Sequence, residues 1–230
     1  MAKRPIFICR LGKPYFEEKD IEFEFHNGFS FQQKQKSIES LHSAIVNNDS
    51  CSNVLEVSSS SAVDLGKALS AFNLTFQNID GRIFTVESAF QSSKVFENGG
   101  PYIDLLTKPS IIAKKDERIR ESGRIVGFRF LGEDISSEPK TLFYDWIYIN
   151  ALNQHTELHE NLLNYNTFTD IEFNPKRSLN CQARSVAIFV SLKKLELLEK
   201  TLKDIETFKK TLYTDDFIGD IGIQSTMFDL

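Results

Sequence analysis

The chain of 230 residues carries a formal net charge of −5, and 41% of its residues are hydrophobic. This length and composition predict one folded domain with a substantial core. The negative charge argues against a broad basic face for duplex DNA, so any contact with nucleic acid would come from local clusters.

Cysteine usage and the lengths of the apolar runs indicate a cytoplasmic protein. Cys9, Cys51 and Cys181 form no C-x-x-C pair, which favours reduced thiols over a disulfide framework or a cysteine-bound metal. The N-terminal apolar run is too short for a signal peptide. Because no run approaches the roughly 18 apolar residues of a spanning helix, no membrane partner is expected.

The first quarter of the chain predicts a small sheet and two helices. Residues 5–9 and 21–25 have strand patterns, and the second alternates apolar and acidic side chains. A helical pattern follows the Asn27-Gly28 turn. Residues 54–58 predict a further strand, and the serine-rich segment after it predicts a short helix capped by Ser61.

Residues 80–98 hold an unusual line of polar side chains. Asp80 begins a turn with the glycine that follows it, and Thr85 is a candidate helix cap. At 3.6 residues per turn, one helix over this segment would carry four polar side chains on one side, beside an apolar surface. They are Glu87, Gln91, Lys94 and Asn98. The alternative to a functional site is a solvated face with a stabilising polar ladder.

Three further elements are predicted after this segment. A Gly-Gly-Pro break at 99–101 ends the first helix, and the mixed charges of 110–122 favour a solvated helix over a DNA-binding arm. Residues 124–131 predict a strand. The apolar run after Pro139 predicts a buried helix with one internal charge, Asp145, which requires a partner such as an arginine or has a catalytic role.

The last part of the chain predicts two helices and a tail. An apolar helix lies within 180–192, and residues 195–213 predict one amphipathic helix. The acidic, glycine-interrupted tail at 214–230 is predicted to dock on this domain or on a partner. His155 and His159 have helical spacing, but without a third ligand the pair does not predict a metal site.

Residues 69–94 resemble the signature of the NADAR (YbiA-like) family, which is approximately L-S-N-F, a short strand, D-G and V-E-x-x-[FY]-Q-x-x-K. The matching residues are Ser70, Phe72, Asp80, Gly81, Glu87, Phe90, Gln91 and Lys94. Ala71 stands where the family usually has Asn, and the spacing to the turn is one residue shorter. Over its whole length the chain is most similar to the NADAR antitoxins associated with DarT-type DNA ADP-ribosyltransferase toxins.

A second similarity lies nearer the C-terminus. In the family, a W-G-D triplet and a glycine-rich loop precede a helix that begins with Asn. Phe168, Thr169 and Asp170 correspond to the triplet, and Asn180 to the Asn. Phe replaces Trp, and an Asn-Pro-Lys-Arg segment replaces the glycines. Arg184 follows Asn180 by one turn and either reaches the same cleft or pairs with a neighbouring acid.

The resemblance implies an α+β fold, a mainly helical NADAR domain with a small antiparallel sheet, over residues 1–213 with an N-terminal β-containing extension. It implies catalysis by Glu87, Lys94 and Asp170. No cofactor is expected, because the sequence has no P-loop or dinucleotide fingerprint, and no metal site is predicted. Substrate binding is implied for Ser70, Phe72, Phe90, Gln91, Phe168, Asn180 and Arg184.

The implied activity is that of a glycohydrolase antitoxin that removes ADP-ribose from guanine bases in DNA. The substrate would be ADP-ribosylated DNA, the product ADP-ribose, and the partner a DarT-type toxin. Cleavage of the C–N bond at C1″ has oxocarbenium character, which two carboxylates can assist, and Lys94 could attack C1″ or bind a phosphate. The alternatives are a YbiA-like N-glycosidase acting on a riboflavin-pathway intermediate and a non-catalytic antitoxin that binds its toxin.

Overall fold

The computed structural model describes residues 1–28, 30–48 and 53–213, and it has the α+β fold that was predicted. The helices are α1 (Phe31–Asn48), α2 (Asp64–Ala68), α3 (Val86–Ser92), α4 (Ser110–Lys115), α5 (Arg118–Glu121), α6 (Leu142–Gln154), α7 (Thr156–Leu162), α8 (Gln182–Lys194), α9 (Leu198–Thr201) and α10 (Ile205–Tyr213), with a 3-10 helix at Ile103–Thr107. The strands are β1 (Ala2–Cys9), β2 (Phe16–Phe23), β3 (Val54–Glu56), β4 (Thr75–Gln77), β5 (Ile83–Thr85), β6 (Lys94–Phe96), β7 (Ile125–Phe130), β8 (Glu133–Ser136) and β9 (Thr167–Thr169).

The strands form three small sheets. The largest has the order β2-β1-β9-β3, and all its pairs are antiparallel except β3 with β9. The pair β4-β5 leads into α3, and β6-β7-β8 follows it. None of the described helices has the length and apolar character needed to cross a membrane.

Two apolar clusters form the core. The larger one buries side chains of α3, α6 and α8, including Phe90, Tyr148 and Phe189. The smaller one packs an apolar stripe of α1 on the largest sheet, with Leu41 and Ile45 completely buried. Burying a side chain of this size contributes about 1.5–3 kcal/mol to stability, so α1 is held by its packing.

Helix α3 is shorter than predicted, and it is buried. Thr85 is its cap, as predicted, and the Thr85 side chain accepts a hydrogen bond from the Ser88 amide. The helix ends at Ser92, where the hydroxyls of Ser92 and Ser93 both donate to the Ala89 carbonyl and compete with the helical bond. The chain then pairs with β7, so Lys94 lies on a strand. The prediction of one helix through Asn98 was therefore wrong.

Other boundaries also differ from the sequence pattern. Ser61 does not cap α2; its hydroxyl accepts from the Val63 amide. The charged stretch at 110–122 forms two short helices, and the single helix predicted at 195–213 is divided into α9 and α10. The Asp204 carboxylate caps α10 through the Thr207 amide. The Gly-Gly-Pro break follows β6, and the predicted docking tail at 214–230 lies outside the described residues.

Asp145 is the buried charge of α6, and its partner is an arginine. The carboxylate is completely buried and pairs with Arg184 of α8. It also accepts hydrogen bonds from the Ser185 hydroxyl at 2.6 Å and the Tyr213 hydroxyl at 2.5 Å. One carboxylate thus joins α6, α8 and α10, and it has a structural role.

We expect Arg184→Met to lower the free energy of unfolding by about 3–5 kcal/mol, because the variant keeps bulk but leaves Asp145 buried without a cation. Urea denaturation measures this change. Arg124→Met is the matched control, since Arg124 pairs with Glu97 but its side chain is 87% exposed. That exposed pair should contribute less than about 1 kcal/mol. Equal losses in the two variants would contradict the assignment.

Candidate active site

A cavity of about 810 Å³ is lined by α3, β7, α6 and the loop between β9 and α8. It brings together eight of the ten residues predicted for the site. They are Ser70, Phe72, Glu87, Phe90, Gln91, Lys94, Asp170 and Asn180. Residues from three distant parts of the chain therefore face one space.

The inner part of the cavity contains a hydrogen-bonded chain of three buried side chains. The Gln91 amide donates to Glu87 Oε1 at 2.9 Å, and Lys94 Nζ donates to Gln91 Oε1 at 2.7 Å. Glu87, Gln91 and Lys94 are 5%, 6% and 9% exposed, so the alternative of a solvated polar face was wrong. Lys94 meets the other two from a strand, not from the predicted helix.

Lys94 has an unusual environment for an ammonium group. Its Nζ lies 4.6 Å from the centre of the Phe90 ring. Burial lowers the pKa of Lys94 to about 8; the negative charge of Glu87 opposes this shift, and the positive charge of Lys114 adds to it. Roughly a tenth of such amines would be neutral at pH 7, which is far more than for a lysine in water.

Asp170 lies on another side of the cavity, at the turn after β9. Its Oδ1 accepts from the backbone amides of Glu172 and Phe173, at 3.0 and 3.2 Å. Burial raises the pKa of Asp170 well above its usual range, and the charges of Glu56 and Glu172 raise it further. Asp170 is thus a carboxyl group that holds a proton more firmly than usual.

Glu56 is a buried carboxylate beside this turn, and no pattern in the sequence indicates its role. It accepts from the Ser58 hydroxyl at 2.6 Å, the Thr169 hydroxyl at 2.6 Å and the Ile171 amide at 2.9 Å. These bonds attach the end of β3 to the turn that carries Asp170. The carboxylate is 2% exposed, and burial raises the pKa of Glu56, although the three hydrogen bonds oppose this shift.

Lys114 also borders the site, although its helix was predicted to be simply solvated. Its Nζ lies 3.8 Å from Glu87 Oε1 and 4.8 Å from the centre of the Phe72 ring. The lysine side chain is 52% exposed, so it connects the buried Glu87 with the open part of the cavity. No pattern in the sequence indicates this contact, because it depends on how α4 packs on α3.

Gln182 is another lining residue that was not predicted. Its side chain accepts from the Ala71 amide at 2.8 Å and donates to the Val57 carbonyl at 2.6 Å. The first bond fixes the backbone between Ser70 and Phe72, and the second connects the same side chain to the residue after β3. The side chain therefore holds the segment where Ala71 replaces the family's usual Asn.

Two predicted substrate contacts are corrected by the structure. Phe168 is completely buried, because β9 places it between Phe7 and Leu55 in the largest sheet. Arg184 pairs with Asp145 and does not line the cavity. Both were chosen by their neighbours in sequence, but Asp170 and Asn180 lie in the loop between β9 and α8. Phe168 is held inside the sheet, and Arg184 is held by its ion pair with Asp145.

The two histidines with helical spacing both make hydrogen bonds within the protein. His155 Nε2 lies 3.1 Å from the Thr75 hydroxyl, and His159 Nε2 lies 3.0 Å from the Leu152 carbonyl. Across the described ranges, no cluster of three or more His, Cys, Asp or Glu residues could hold a metal ion.

The sequence profile of the DarT1-associated NADAR antitoxin matches residues 2–218. The chain belongs to this NADAR family. The match spans both the signature that contains Glu87 and Lys94 and the loop that contains Asp170, so the resemblance seen in the sequence is confirmed. The family description associates these antitoxins with the toxin DarT1. No curated protein matches the chain.

We expect Asp170→Asn to raise the Tm of this NADAR protein at pH 7. The carboxyl of Asp170 ionises at about pH 4 in the unfolded chain. In the folded protein its pKa is raised, so it keeps its proton to a higher pH. The wild type therefore loses stability relative to the variant as the pH rises above about 4, and the difference should vanish near pH 3. The Asn side chain can still accept the two backbone hydrogen bonds.

Asp134→Asn is the control for this measurement. A hydrogen bond from Arg129 lowers the pKa of Asp134. The change in Tm therefore has the opposite sign, and Asp134→Asn should lower the Tm slightly at pH 7. An unchanged or lower Tm for Asp170→Asn at pH 7 would show that its carboxyl is not held in an unfavourable environment.

Proposed function

We propose that this NADAR protein is an N-glycosidase that removes ADP-ribose from guanine bases of DNA modified by a DarT-type toxin. The main support is the buried chain of Glu87, Gln91 and Lys94, which faces the same cavity as Asp170. Removal of the toxin's modification would account for an antitoxin role without requiring a stable complex between the two proteins.

The proposed reaction breaks the C–N bond between the distal ribose and the base. Positive charge develops at C1″ as this bond lengthens, and a nearby carboxylate stabilises it. Glu87 suits this role because it lies at the inner end of the cavity and its charge is only partly offset, by the Gln91 amide and by Lys114 at 3.8 Å.

Asp170 is proposed as the acid that protonates the leaving base. A general acid must still hold its proton near neutral pH, and the buried environment of Asp170 raises its pKa in the required direction. The two carboxyl groups thus have different tasks because their surroundings differ. Lys114 lies 3.8 Å from Glu87, whereas its effect on Asp170 is outweighed by the nearby carboxyl groups Glu56 and Glu172.

Lys94 is proposed as the nucleophile. Its neutral amine attacks C1″, the bond from C1″ to the base breaks, and Asp170 gives its proton to the base. Ring opening then moves a proton from Nζ to the ring oxygen and leaves a protonated imine. Water adds to the imine carbon, ADP-ribose is released, the amine is regenerated, and a proton returns to Asp170.

We expect Glu87→Gln to lower turnover of an ADP-ribosylated oligonucleotide by at least about a hundredfold, because the shape is kept and the charge is lost. The variant should keep its Tm and should still bind ADP-ribose by calorimetry. Glu133→Gln is the control, since Glu133 is an exposed acid of β8 outside the cavity. Near-wild-type turnover by the Glu87 variant would show that Glu87 has no catalytic role and is only part of a polar surface.

The same assay separates the alternative functions. A wild-type protein that hydrolyses a riboflavin-pathway intermediate but not the modified DNA would support the YbiA-like activity. A protein that hydrolyses neither compound but still neutralises the toxin would support inhibition by binding.

For Lys94, we expect borohydride to trap a covalent adduct with the mass of ADP-ribose on the wild-type protein during turnover. The single-turnover rate should rise as the pH approaches about 8, because the neutral amine becomes more abundant. Lys94→Arg should give no adduct and no activity, since guanidinium remains protonated and is a poor nucleophile. Full activity in this variant, together with no trapped adduct on the wild type, would show that Lys94 is not the nucleophile and only binds a phosphate.

A further inference from the structure

The charged side chains that line the cavity are buried in its interior and more exposed at its mouth. The interior holds the buried side chains of Glu87, Lys94 and Asp170. Four cationic residues with larger exposure also line the cavity, and we call them the basic rim. They are Arg4 of β1, Lys114 of α4, Lys140 before α6 and Arg177 of the loop before α8. Four separate parts of the chain therefore place positive charge around one opening.

Much of this positive charge is not neutralised by the protein. In the part of the chain that the structure describes, Lys140 and Arg177 make no ion pair, and Arg4 lies over the Phe25 ring. Three arginines outside the rim, Arg118, Arg124 and Arg129, each bind a carboxylate, whereas Arg82 and Arg120 make no ion pair among the described residues.

The acidic residues around the rim offset only part of its charge. Glu172 is exposed in the lining, but its carboxylate is paired with Lys34 at 2.8 Å. Among the described residues that line the cavity, Glu138 is the exposed carboxylate that makes no ion pair. Because the whole chain carries a net charge of −5, a basic rim around this opening is a local departure from the overall charge.

We propose that the basic rim binds backbone phosphates of the DNA strand that carries the ADP-ribosyl group. The proposal rests on the proposed function, because it assumes that the modified base enters the cavity. Phosphates on either side of that base would then lie near the opening, where exposed guanidinium and ammonium groups can bind them and release counterions. The protein would recognise a polynucleotide and not only ADP-ribose attached to guanine.

The test uses the two rim residues that are exposed and make no ion pair among the described residues, Lys140 and Arg177. Lys114 is unsuitable because it lies 3.8 Å from Glu87, so its loss would also change the interior. The double variant Lys140→Gln/Arg177→Gln removes two exposed charges and retains polar side chains. Lys200→Gln/Lys203→Gln removes the same charge from exposed positions at α9 and the turn after it, outside the cavity.

Binding of a fluorescent, unmodified single-stranded oligonucleotide to the full chain is measured at several salt concentrations. We expect the rim variant to bind at least roughly tenfold more weakly at low salt. The slope of log K against log salt should become shallower by about 0.7 for each phosphate that the variant no longer neutralises. The control variant should behave like the wild type. Equal binding by the rim variant and the wild type would overturn the proposal.

Turnover is then compared for an ADP-ribosylated oligonucleotide and for ADP-ribosylated deoxyguanosine. The rim variant should lose roughly tenfold in kcat/KM on the oligonucleotide and less than about twofold on the nucleoside. Equal losses on both substrates would show that the rim binds the diphosphate of ADP-ribose, which overturns the proposal. If the wild type hydrolyses neither substrate, the proposed function fails, and the binding measurement still decides whether the rim binds a strand.

Discussion

The Gln91 side chain holds the proposed site together through two hydrogen bonds, one to Glu87 and one to Lys94. A direct ion pair between the carboxylate and the amine would stabilise both charges and would keep Lys94 protonated. The neutral amide lies between them, with its NH₂ group towards the acid and its oxygen towards the amine. The orientation of the amide follows from these two partners. Both groups can therefore be held close to one ligand while the amine retains a lowered pKa.

The buried carboxylates of this protein have two kinds of surroundings. Asp145 has an arginine and two hydroxyl groups as partners, and its role is to join helices. Asp170 and Glu56 are 8% and 2% exposed and accept hydrogen bonds from neutral donors only. Unfavourable environments of this kind cost stability, and they cluster where chemistry requires a shifted pKa. The missing cation therefore distinguishes Asp170 and Glu56 from Asp145 of the structural core better than burial alone.

The sequence predicted most of the elements and eight residues of the cavity, because turn signals, apolar periodicity and the NADAR signature are local properties. It could not predict where α3 ends, since pairing with β7 overrides the helical pattern at Lys94. It also misassigned Phe168, which is buried because β9 pairs with strands formed by distant residues. Glu56 and Lys114 reach the site only through tertiary packing, so no spacing in the chain could reveal them.

The most direct test of the proposed activity follows the mass of a single-stranded oligonucleotide that carries one ADP-ribosylated guanine, incubated with the purified wild-type protein. We expect the oligonucleotide to return to its unmodified mass and free ADP-ribose to appear in equal amount, which would place bond cleavage at C1″. An oligonucleotide that keeps its modification, or that keeps a ribose on the base, would contradict the proposed glycosidase activity.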